Sequence, residues 1–345
     1  MFSFDKEKLV GYIENLSTPK VLIIGDMGID EMIYGDTERI SREAPVLILR
    51  HSNTKIILGQ AANAAHNLST INDGKVSAIG LYGNDYYGPI LLEAFSKAGI
   101  NTEFMVKDES RTTTVKSRIS GASCHSVTQQ VVRIDRIDEA VLSEDVENKL
   151  IENIEKAVPL HDAVILSDYN IGMLTDRVIQ AVVSVCKRHN KILVADIQKD
   201  LSRYEGIYAL TPNQPDSEKA VGYFIRNEET LNNAGQDILK MTDAQVLLLT
   251  RGAEGMAVFE KDNNIRTDVP VFNKTNVFDV TGAGDTVVAT FTLALAAGAE
   301  PKYAAIIGNI AASIVIRSFG CATTTIEEIK SSLNKMDMKN YTIKA

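Results

Sequence analysis

The sequence predicts a three-layer αβα domain built on a parallel sheet, and two repeating patterns lead to that fold class. Apolar runs bounded by Gly, Asp or Asn recur, as buried parallel strands do, at residues 21–24, 76–79, 163–166, 192–195, 208–210 and 246–249. Helix-length segments separate these runs, at residues 61–69, 88–98, 144–157, 175–189 and 231–241. Strands alternating with helices are typical of a sheet that helices cover on both faces.

Polar residues follow the predicted strands directly. Because the carboxyl ends of parallel strands meet at one edge of the sheet, these residues predict a binding site at that edge. They are Gly25-Asp26, Ser167-Asp168, Asp196, Thr211-Pro212-Asn213 and Thr250-Arg251-Gly252.

Two stretches interrupt the alternation, at residues 31–58 and 104–135. Both are rich in Thr, Val, Ile, Ser and Arg, which favours extra strands outside the main sheet. Each stretch leaves the α/β core and returns to it. We therefore expect one domain, residues 1–345, whose two insertions form a small β-sheet lid over the strand ends.

Composition excludes several classes of protein. A formal net charge of -9 argues against a nucleic-acid or anionic-membrane surface. The three cysteines are far apart, which indicates free thiols and neither a disulfide framework nor a zinc cluster. The first residues do not resemble a signal peptide, and the apolar run 287–297 is too short to span a bilayer. These features predict a cytoplasmic protein.

The segment Asp279-Val280-Thr281-Gly282-Ala283-Gly284-Asp285-Thr286 carries the strongest chemical signal, because it places small residues and a carboxylate before an apolar, helix-like run. A helix start offers unpaired N–H groups to an anion, and glycines allow a phosphate to approach them. A carboxylate there fits a base that takes the proton of a hydroxyl attacking the phosphate. The alternative is an ordinary Gly-rich loop in which Asp285 caps the helix.

Four segments, in order and spacing, resemble the ribokinase (PfkB) superfamily of sugar and nucleoside kinases over roughly residues 20 to 325. They are Gly25–Asp30, Gly59–Asn63, Thr211-Pro212-Asn213 and Asp279–Asp285. The run Arg39-Ile40-Ser41-Arg42-Glu43-Ala44-Pro45-Val46 is similar to that of the heptose 7-phosphate kinase group. The resemblance implies ATP and Mg²⁺ as cofactors, a sugar as acceptor, and a homodimer formed through the lid.

The resemblance also implies roles for individual residues. Asp285 would be the catalytic base, and the N–H groups of Gly282, Ala283 and Gly284 would form the anion hole. Asp30 and its neighbour Asp26, Gly59 and Asn63 would hold the sugar. Cationic residues of the lid, which would hold a phosphate on the acceptor or else form a solvated charged edge, are Arg39, Lys116, Arg118 and Arg133.

On the nucleotide side, the resemblance implies that Asn213 and Asp216 organise Mg²⁺ and phosphates through water. Lys199 would reach the same phosphates. Asp279 resembles an aspartate that binds an activating monovalent cation in some members. The remaining nucleotide-binding residues would be Thr250, Gly252, Gly255 and Asn309.

Some positions depart from the family pattern. Gln60 replaces a glycine, Asp216 replaces a glutamate, Ile171 stands where heptose kinases often carry a lysine, and the segment 196–199 replaces Asp-Pro-Lys. Two alternatives therefore stay open, a kinase for another sugar, sugar acid or nucleoside, and a non-catalytic sensor on the same fold. A nicotinamide dehydrogenase is excluded because the Gly-x-Gly-x-x-Gly spacing is missing.

Overall fold

The computed structural model describes residues 5–122, 128–262, 265–272, 277–318 and 320–335. The strands within them are β1 (Val21–Gly25), β2 (Met27–Ile40), β3 (Leu47–Gln60), β4 (Val76–Ile79), β5 (Leu81–Gly83), β6 (Val106–Asp108), β7 (Thr114–Ala122), β8 (Gln129–Arg136), β9 (Ala163–Asp168), β10 (Ile192–Ile197), β11 (Ala209–Leu210), β12 (Val246–Thr250), β13 (Met256–Glu260) and β14 (Ile265–Val269). The α-helices are α1 (Lys6–Glu14), α2 (Ala61–Asn72), α3 (Tyr87–Lys97), α4 (Glu144–Ala157), α5 (Asp176–Arg188), α6 (Gln214–Val221), α7 (Glu228–Thr242), α8 (Ala283–Ala296), α9 (Pro301–Val315) and α10 (Ile326–Asn334).

The main sheet has the order β14-β13-β12-β11-β10-β9-β1-β4. The strands from β12 to β4 are parallel, whereas β13 and β14 add an antiparallel edge that the sequence patterns did not predict. Val21 and Ile23 of β1 point into one hydrophobic cluster, and Leu22 and Ile24 point into the other. Because successive side chains of a strand face opposite sides, both faces of the sheet are covered, and the predicted three-layer αβα fold is confirmed.

Helices pack on the sheet through apolar stripes. In α4, Val146, Leu150 and Ile154 are buried at intervals of four residues, and the side chain of Ser143 caps the helix start. In contrast, α8 is buried on nearly all sides. From Asp285 onward, α8 therefore lies inside the domain, whereas Gly284 at its start is exposed. None of the helices in the described ranges has the length and apolar character needed to cross a bilayer.

A second sheet with the order β3-β2-β7-β8 is formed by the two β-rich insertions. The first strand of this sheet from each insertion begins at Met27 (β2) and at Thr114 (β7), respectively. The first part of the second predicted stretch does not belong to it, because β6 pairs with β5 in a separate two-stranded sheet. We call the four-stranded sheet the lid.

Register decides which lid residues face the same way. Asp30 lies opposite Lys116, Met32 lies opposite Arg118, and Arg118 lies opposite Arg133. Side chains directly opposite each other on neighbouring strands lie on the same face of a sheet. Side chains two residues apart along one strand also lie on the same face. Asp30, Lys116, Arg118 and Arg133 therefore stand on one face of the lid.

Candidate active site

Asp285 lies in the first turn of α8 and its side chain is buried. Its Oδ2 accepts a hydrogen bond from Asn63 Nδ2 at 2.7 Å, and its Oδ1 accepts one from the hydroxyl of Tyr169 at 2.8 Å. Burial raises the pKa of Asp285 to about 6, although these two hydrogen bonds lower it. A carboxylate with this pKa is ionised at neutral pH and can still accept a proton.

Asn63 is held in place by α2 and α8 together. The carbonyl of Asn63 accepts a bond from Asn67 Nδ2 at 2.9 Å, and Asn67 Oδ1 accepts one from the Thr286 hydroxyl at 2.8 Å. Thr286 follows the base directly in α8. The chain of bonds therefore fixes the distance between the start of α2 and the start of α8.

The turn before Asp285 requires glycine at its first position. Gly282 has φ 78°, and a Cβ there would lie 2.6 Å from Asn63 Nδ2. A Cβ at Gly284 would meet nothing within 4 Å, so the space beside this residue is open. The N–H of Ala283 donates to the carbonyl of Val280 at 3.2 Å, so one of the three predicted anion-hole donors is engaged within the turn.

Asp30 stands on the lid face that looks toward the start of α8. Arg118 Nη1 lies 2.5 Å from its Oδ1, and Cys321 Sγ donates to its Oδ2 at 3.6 Å. A Cβ at Gly59 would lie 2.9 Å from the carboxyl carbon of Asp30, so a larger residue at this position would displace the carboxylate. Asp30 is thus held between a cation and a thiol.

Lys116 connects the lid with the loop after β9, because its Nζ lies 5.5 Å from the centre of the Tyr169 ring. Burial lowers the pKa of Lys116, and the neighbouring Asp30 raises it. The lysine is half-buried and its charge also acts on Asp285. Lys116, Asp30, Asn63 and Asp285 therefore surround one space at the start of α8.

Asp26 has a different environment from the one implied by the resemblance. Its carboxylate accepts backbone N–H bonds from Tyr169 at 2.9 Å, Ile171 at 3.3 Å and Met173 at 3.4 Å. Burial and the neighbouring Asp168 raise the pKa of Asp26 to about 7. This geometry indicates that Asp26 holds the loop after β9 in place and does not favour contact between Asp26 and a sugar.

The other two predicted lid cations lie farther out. Arg133 is half-exposed and pairs with Asp135 at 2.9 Å. Arg39 is exposed and stands nine residues beyond Asp30 along β2, which is about 30 Å at the rise of a strand. Within one chain, the structure does not bring Arg39 to the other predicted acceptor residues.

Gln60 stands at the start of α2 with φ 56° and ψ -137°, a conformation that favours glycine. Its side chain is buried and folds over Gly28, where a Cβ would lie 2.0 Å from Gln60 Oε1. Among the described residues, neither polar atom of the amide has a hydrogen-bond partner. Gln60 therefore covers Gly28 on the lid face that carries Asp30.

A cavity of about 620 Å³ lies on the opposite side of the α8 start. Its size is that of a small-molecule or cofactor site. Gly255 has φ 85°, and a Cβ there would lie 2.2 Å from the carbonyl oxygen of Val269. Asn309 donates to the carbonyl of Pro270 at 2.7 Å and accepts from the N–H of Phe272 at 3.2 Å. The lining includes the predicted nucleotide-binding residues Thr250, Gly252, Gly255 and Asn309, together with Ala283 and Gly284.

Asn213 lies beside this cavity because it pairs with Thr250 as an isolated β-bridge. Its side chain caps α6 and donates to Asp216 Oδ2 at 2.8 Å, while Lys219 donates to Asp216 Oδ1 at 2.8 Å. Lys199 is exposed just after β10 and is not among the residues that line the cavity.

The carboxylates predicted to bind metal ions, Asp279 and Asp216, belong to separate segments of the chain. Asp279 accepts N–H bonds from Thr281 at 2.9 Å and from Gly320 at 3.0 Å. In the part of the chain that the structure describes, no cluster of three or more His, Cys, Asp or Glu side chains could hold a metal ion.

Two residues in the site were given no role in it by the sequence analysis. Tyr169 follows Ser167-Asp168, so its place directly after a predicted strand was an available signal. Cys321 reaches Asp30 across the fold, and no local pattern indicates that contact. Both contact carboxylates that the sequence had identified.

Known proteins resemble this chain over most of its length. The family model for pfkB family carbohydrate kinases matches residues 18–328. The bifunctional protein HldE of Desulfatibacillum aliphaticivorans is 37% identical over 92% of this chain, and that of Aliarcobacter butzleri is 35% identical over 94%. The chain spans only 63% and 67%, respectively, of these relatives' length.

Solved structures show the same fold at lower sequence identity. Phosphofructokinase-2 from Escherichia coli has a TM-score of 0.74 at 16% identity, covering 92% of this chain and 99% of that one. Arabidopsis thaliana ribokinase has a TM-score of 0.69 at 17% identity, covering 91% and 98%.

The ribokinase-like fold, together with the match to the carbohydrate kinase family model, makes this chain an ATP-dependent sugar kinase. The chain belongs to the pfkB family of carbohydrate kinases.

Proposed function

We propose that the protein transfers the γ-phosphate of ATP to a hydroxyl of a phosphorylated sugar, and that heptose 7-phosphate is converted to heptose 1,7-bisphosphate. The observation that carries the proposal is the position of Asp285, which lies between the cavity at Gly284 and the lid face at Asp30. The acceptor assignment rests on the segment 39–46 and on the HldE relatives.

Asp285 acts as the base in this reaction. The acceptor hydroxyl approaches the carboxylate, attacks the γ-phosphorus and passes its proton to Asp285, while the bond to the β-phosphate oxygen breaks. In a loose transition state the proton leaves late, so a pKa of about 6 is sufficient for the base. Asn63 holds the carboxylate in orientation through the bond to Oδ2.

The helix start stabilises the transferred group. The N–H groups of Gly282, which has a left-handed conformation, and of Gly284, which has open space beside it, donate to the transferred phosphoryl group. The N–H of Ala283 would join them if its hydrogen bond to the Val280 carbonyl opened. The positive end of the α8 dipole adds to these N–H groups. Lys116 and Arg118 bring positive charge from the lid to the same space.

Mg²⁺ would supply charge neutralisation on the ATP phosphates. The donor set fits an ion held chiefly by substrate and water, because Asp216 already has Asn213 and Lys219 as partners. Asn213 and Asp216 orient such water-mediated contacts from the cavity edge. Asp279 is the candidate for an activating monovalent cation, since its carboxylate lies at the loop before the anion-binding turn.

We also propose a homodimer through the lid. Val132 and Ile134 of β8 are each 46% exposed, and Leu47 of β3 is 49% exposed, so both edge strands carry apolar side chains in contact with solvent. Sedimentation equilibrium checks the assembly, with Val132→Asp expected to shift it to monomer. A wild-type monomer at micromolar concentration would contradict it.

The function is tested by ATP consumption with Mg²⁺ against phosphorylated heptoses and hexoses, plain sugars, sugar acids and nucleosides. We expect turnover on heptose 7-phosphate and a loss of about 10³-fold in kcat for Asp285→Asn, which removes the base. Asp145→Asn, an exposed aspartate at the start of α4, is the matched control and should retain full activity.

The other outcomes separate the alternatives. Turnover on a different acceptor would keep the mechanism and discard the heptose assignment. Nucleotide binding without turnover on any acceptor would favour a sensor, a reading that the altered positions Gln60 and Asp216 support.

A further inference from the structure

Each carboxylate oxygen of Asp285 accepts a hydrogen bond in this structure. Asn63 Nδ2 donates to Oδ2 at 2.7 Å, and the Tyr169 hydroxyl donates to Oδ1 at 2.8 Å. Asn63 is locked by α2 and α8, whereas Tyr169 belongs to the loop after β9. Of the two partners of the base, only Tyr169 is therefore carried by a loop.

The hydroxyl of Tyr169 is a permanent donor. Burial and the charge of Asp285 raise the pKa of Tyr169 well above its usual value, so its phenol keeps its proton at all working pH values. Asp285 is the proton acceptor of the reaction. While Tyr169 donates to Oδ1, it occupies one of the two lone pairs with which that oxygen could accept a bond from an acceptor hydroxyl or from water.

Tyr169 also connects the base with the lid. Its backbone N–H is held by Asp26 at 2.9 Å, which fixes the start of the loop on the core. Its ring lies beneath Lys116 of β7, whose Nζ is 5.5 Å from the ring centre. A ligand that draws Lys116 away would remove one contact that holds Tyr169 beside the base.

We propose that Tyr169 is a positioning residue that covers the proton-accepting oxygen of Asp285 until a sugar enters, and that the sugar hydroxyl then replaces the phenol at Oδ1. The phenol keeps its own proton, and the proton of the sugar hydroxyl passes to Asp285. Covering the base denies it to water, which limits ATP hydrolysis when no acceptor is present. This inference rests on the proposed role of Asp285 as base.

The experiment compares wild type with Tyr169→Phe, which removes only the hydroxyl. Tyr223→Phe is the matched control, because Tyr223 also donates to an aspartate, Asp237, at 2.8 Å but on the protein surface. ATP hydrolysis without acceptor is measured for each, with thermal melting to establish folding. We expect hydrolysis to rise about tenfold in Tyr169→Phe, the scale of one hydrogen bond, and to stay unchanged in Tyr223→Phe.

A double variant, Tyr169→Phe with Asp285→Asn, ties the effect to the base. We expect the added hydrolysis to disappear in it. Added hydrolysis that survives the loss of Asp285, or an unchanged rate in a folded Tyr169→Phe protein, would overturn the inference. Transfer to no sugar at all, with the Asp285-dependent rise still present, would count against the proposed function and leave the inference standing.

The pH dependence of the sugar reaction would not change if Tyr169 had a purely structural role, so it provides a further test. Tyr169→Phe should shift the acid limb of kcat/KM, which reports the sugar-free enzyme, to higher pH, because the lost hydrogen bond favoured the ionised carboxylate. The other groups that act on Asp285 are unchanged by the substitution, so the shift reports Tyr169. They are Asn63 of α2, Lys116 of β7, Asp30 of β2, Asp196 of β10 and Cys321. An unshifted limb would overturn the inference.

Discussion

The two sides of the α8 start are built differently. On the acceptor side, the charged side chains already have side-chain partners: Asp30 forms an ion pair with Arg118, and Asp285 accepts a hydrogen bond from the Asn63 amide. On the nucleotide side, the cavity is lined by glycine turns and apolar side chains, with Asn309 bonded to the backbone. Acceptor recognition thus depends on exchanging partners between side chains, whereas nucleotide recognition depends on backbone shape.

This difference predicts separable effects of substitutions. Removing one member of a buried charge pair leaves its partner uncompensated. Removing a glycine from a left-handed turn forces the backbone to move. Changes of the first kind should alter acceptor kinetics alone, and changes of the second kind should alter ATP kinetics alone.

The largest expected effect on a KM value is that of Arg118→Met. Its side chain is 17% exposed and that of Asp30 is 8% exposed, so the change leaves a nearly buried carboxylate without its cation. We expect KM for the phosphorylated acceptor to rise about 100-fold, with KM for ATP unchanged. Steady-state kinetics with each substrate varied in turn checks this.

Arg133→Met is the matched control for Arg118→Met. Arg133 lies directly opposite Arg118 in the lid, but its side chain is 50% exposed and pairs only with Asp135. An exposed pair contributes little, so we expect less than about a threefold change in the acceptor KM. Equal effects of the two substitutions would show that the lid acts through its net charge and not through the Asp30 pair.

Gly255→Ala tests the nucleotide side. A Cβ at this position would lie 2.2 Å from the Val269 carbonyl, and the residue has φ 85°. A strain of about 2 kcal/mol is typical of such a position, so we expect KM for ATP to rise about 30-fold while the acceptor KM stays constant.

Gly222→Ala separates the effect of an unfavourable backbone conformation from the effect of a steric clash. Gly222 has φ 79° at the end of α6, but a Cβ there would meet nothing within 4 Å. This variant should lose a little stability and keep the wild-type KM for ATP. If Gly255→Ala raised both KM values alike, the proposed division between the two sides would be wrong.

A pH profile tests the acceptor side through the base itself. Asp285 must be ionised to take a proton, and its pKa is raised to about 6. Activity is therefore lost as pH falls through that value, and kcat should drop about tenfold between pH 7 and pH 5.

Asn63→Ala distinguishes the base from a titrating phosphate on the acceptor. The hydrogen bond from Asn63 lowers the pKa of Asp285, so its loss should move the acid limb to higher pH. A phosphate on the substrate would titrate at the same pH in both proteins. An acid limb at the same pH in both would assign the profile to the substrate.

The same division explains what the sequence could and could not predict. Buried strands, helix lengths and the Gly282–Asp285 turn are local patterns, and each appears where it was expected. The bond from Tyr169 to Asp285 joins residues 116 positions apart, and the contact of Cys321 with Asp30 joins residues 291 positions apart. Such contacts depend on tertiary packing, which no motif spacing encodes.

Asp26 illustrates the same limit within a motif. Its position at the end of the first strand was correct, but the direction of its carboxylate depends on the loop after β9, which comes from a distant part of the chain. The sequence predicted that Asp26 lies at the edge of the site. Only the folded structure shows that its carboxylate accepts hydrogen bonds from the loop after β9.

The smallest expected effect concerns Gln60 on the acceptor side. Its backbone has a conformation that favours glycine, and its buried amide has no partner among the described residues. Gln60→Gly should therefore increase the free energy of unfolding by about 1 kcal/mol, since relief of strain and of an unpaired amide outweighs the lost packing. Thermal or urea unfolding measures the change. Asn190→Gly, at an exposed residue with φ 51°, measures the relief of strain alone, and the gain at Gln60 should exceed it. A loss of stability in Gln60→Gly would mean that the amide has a bound partner, such as water, and that the acceptor side is paired throughout.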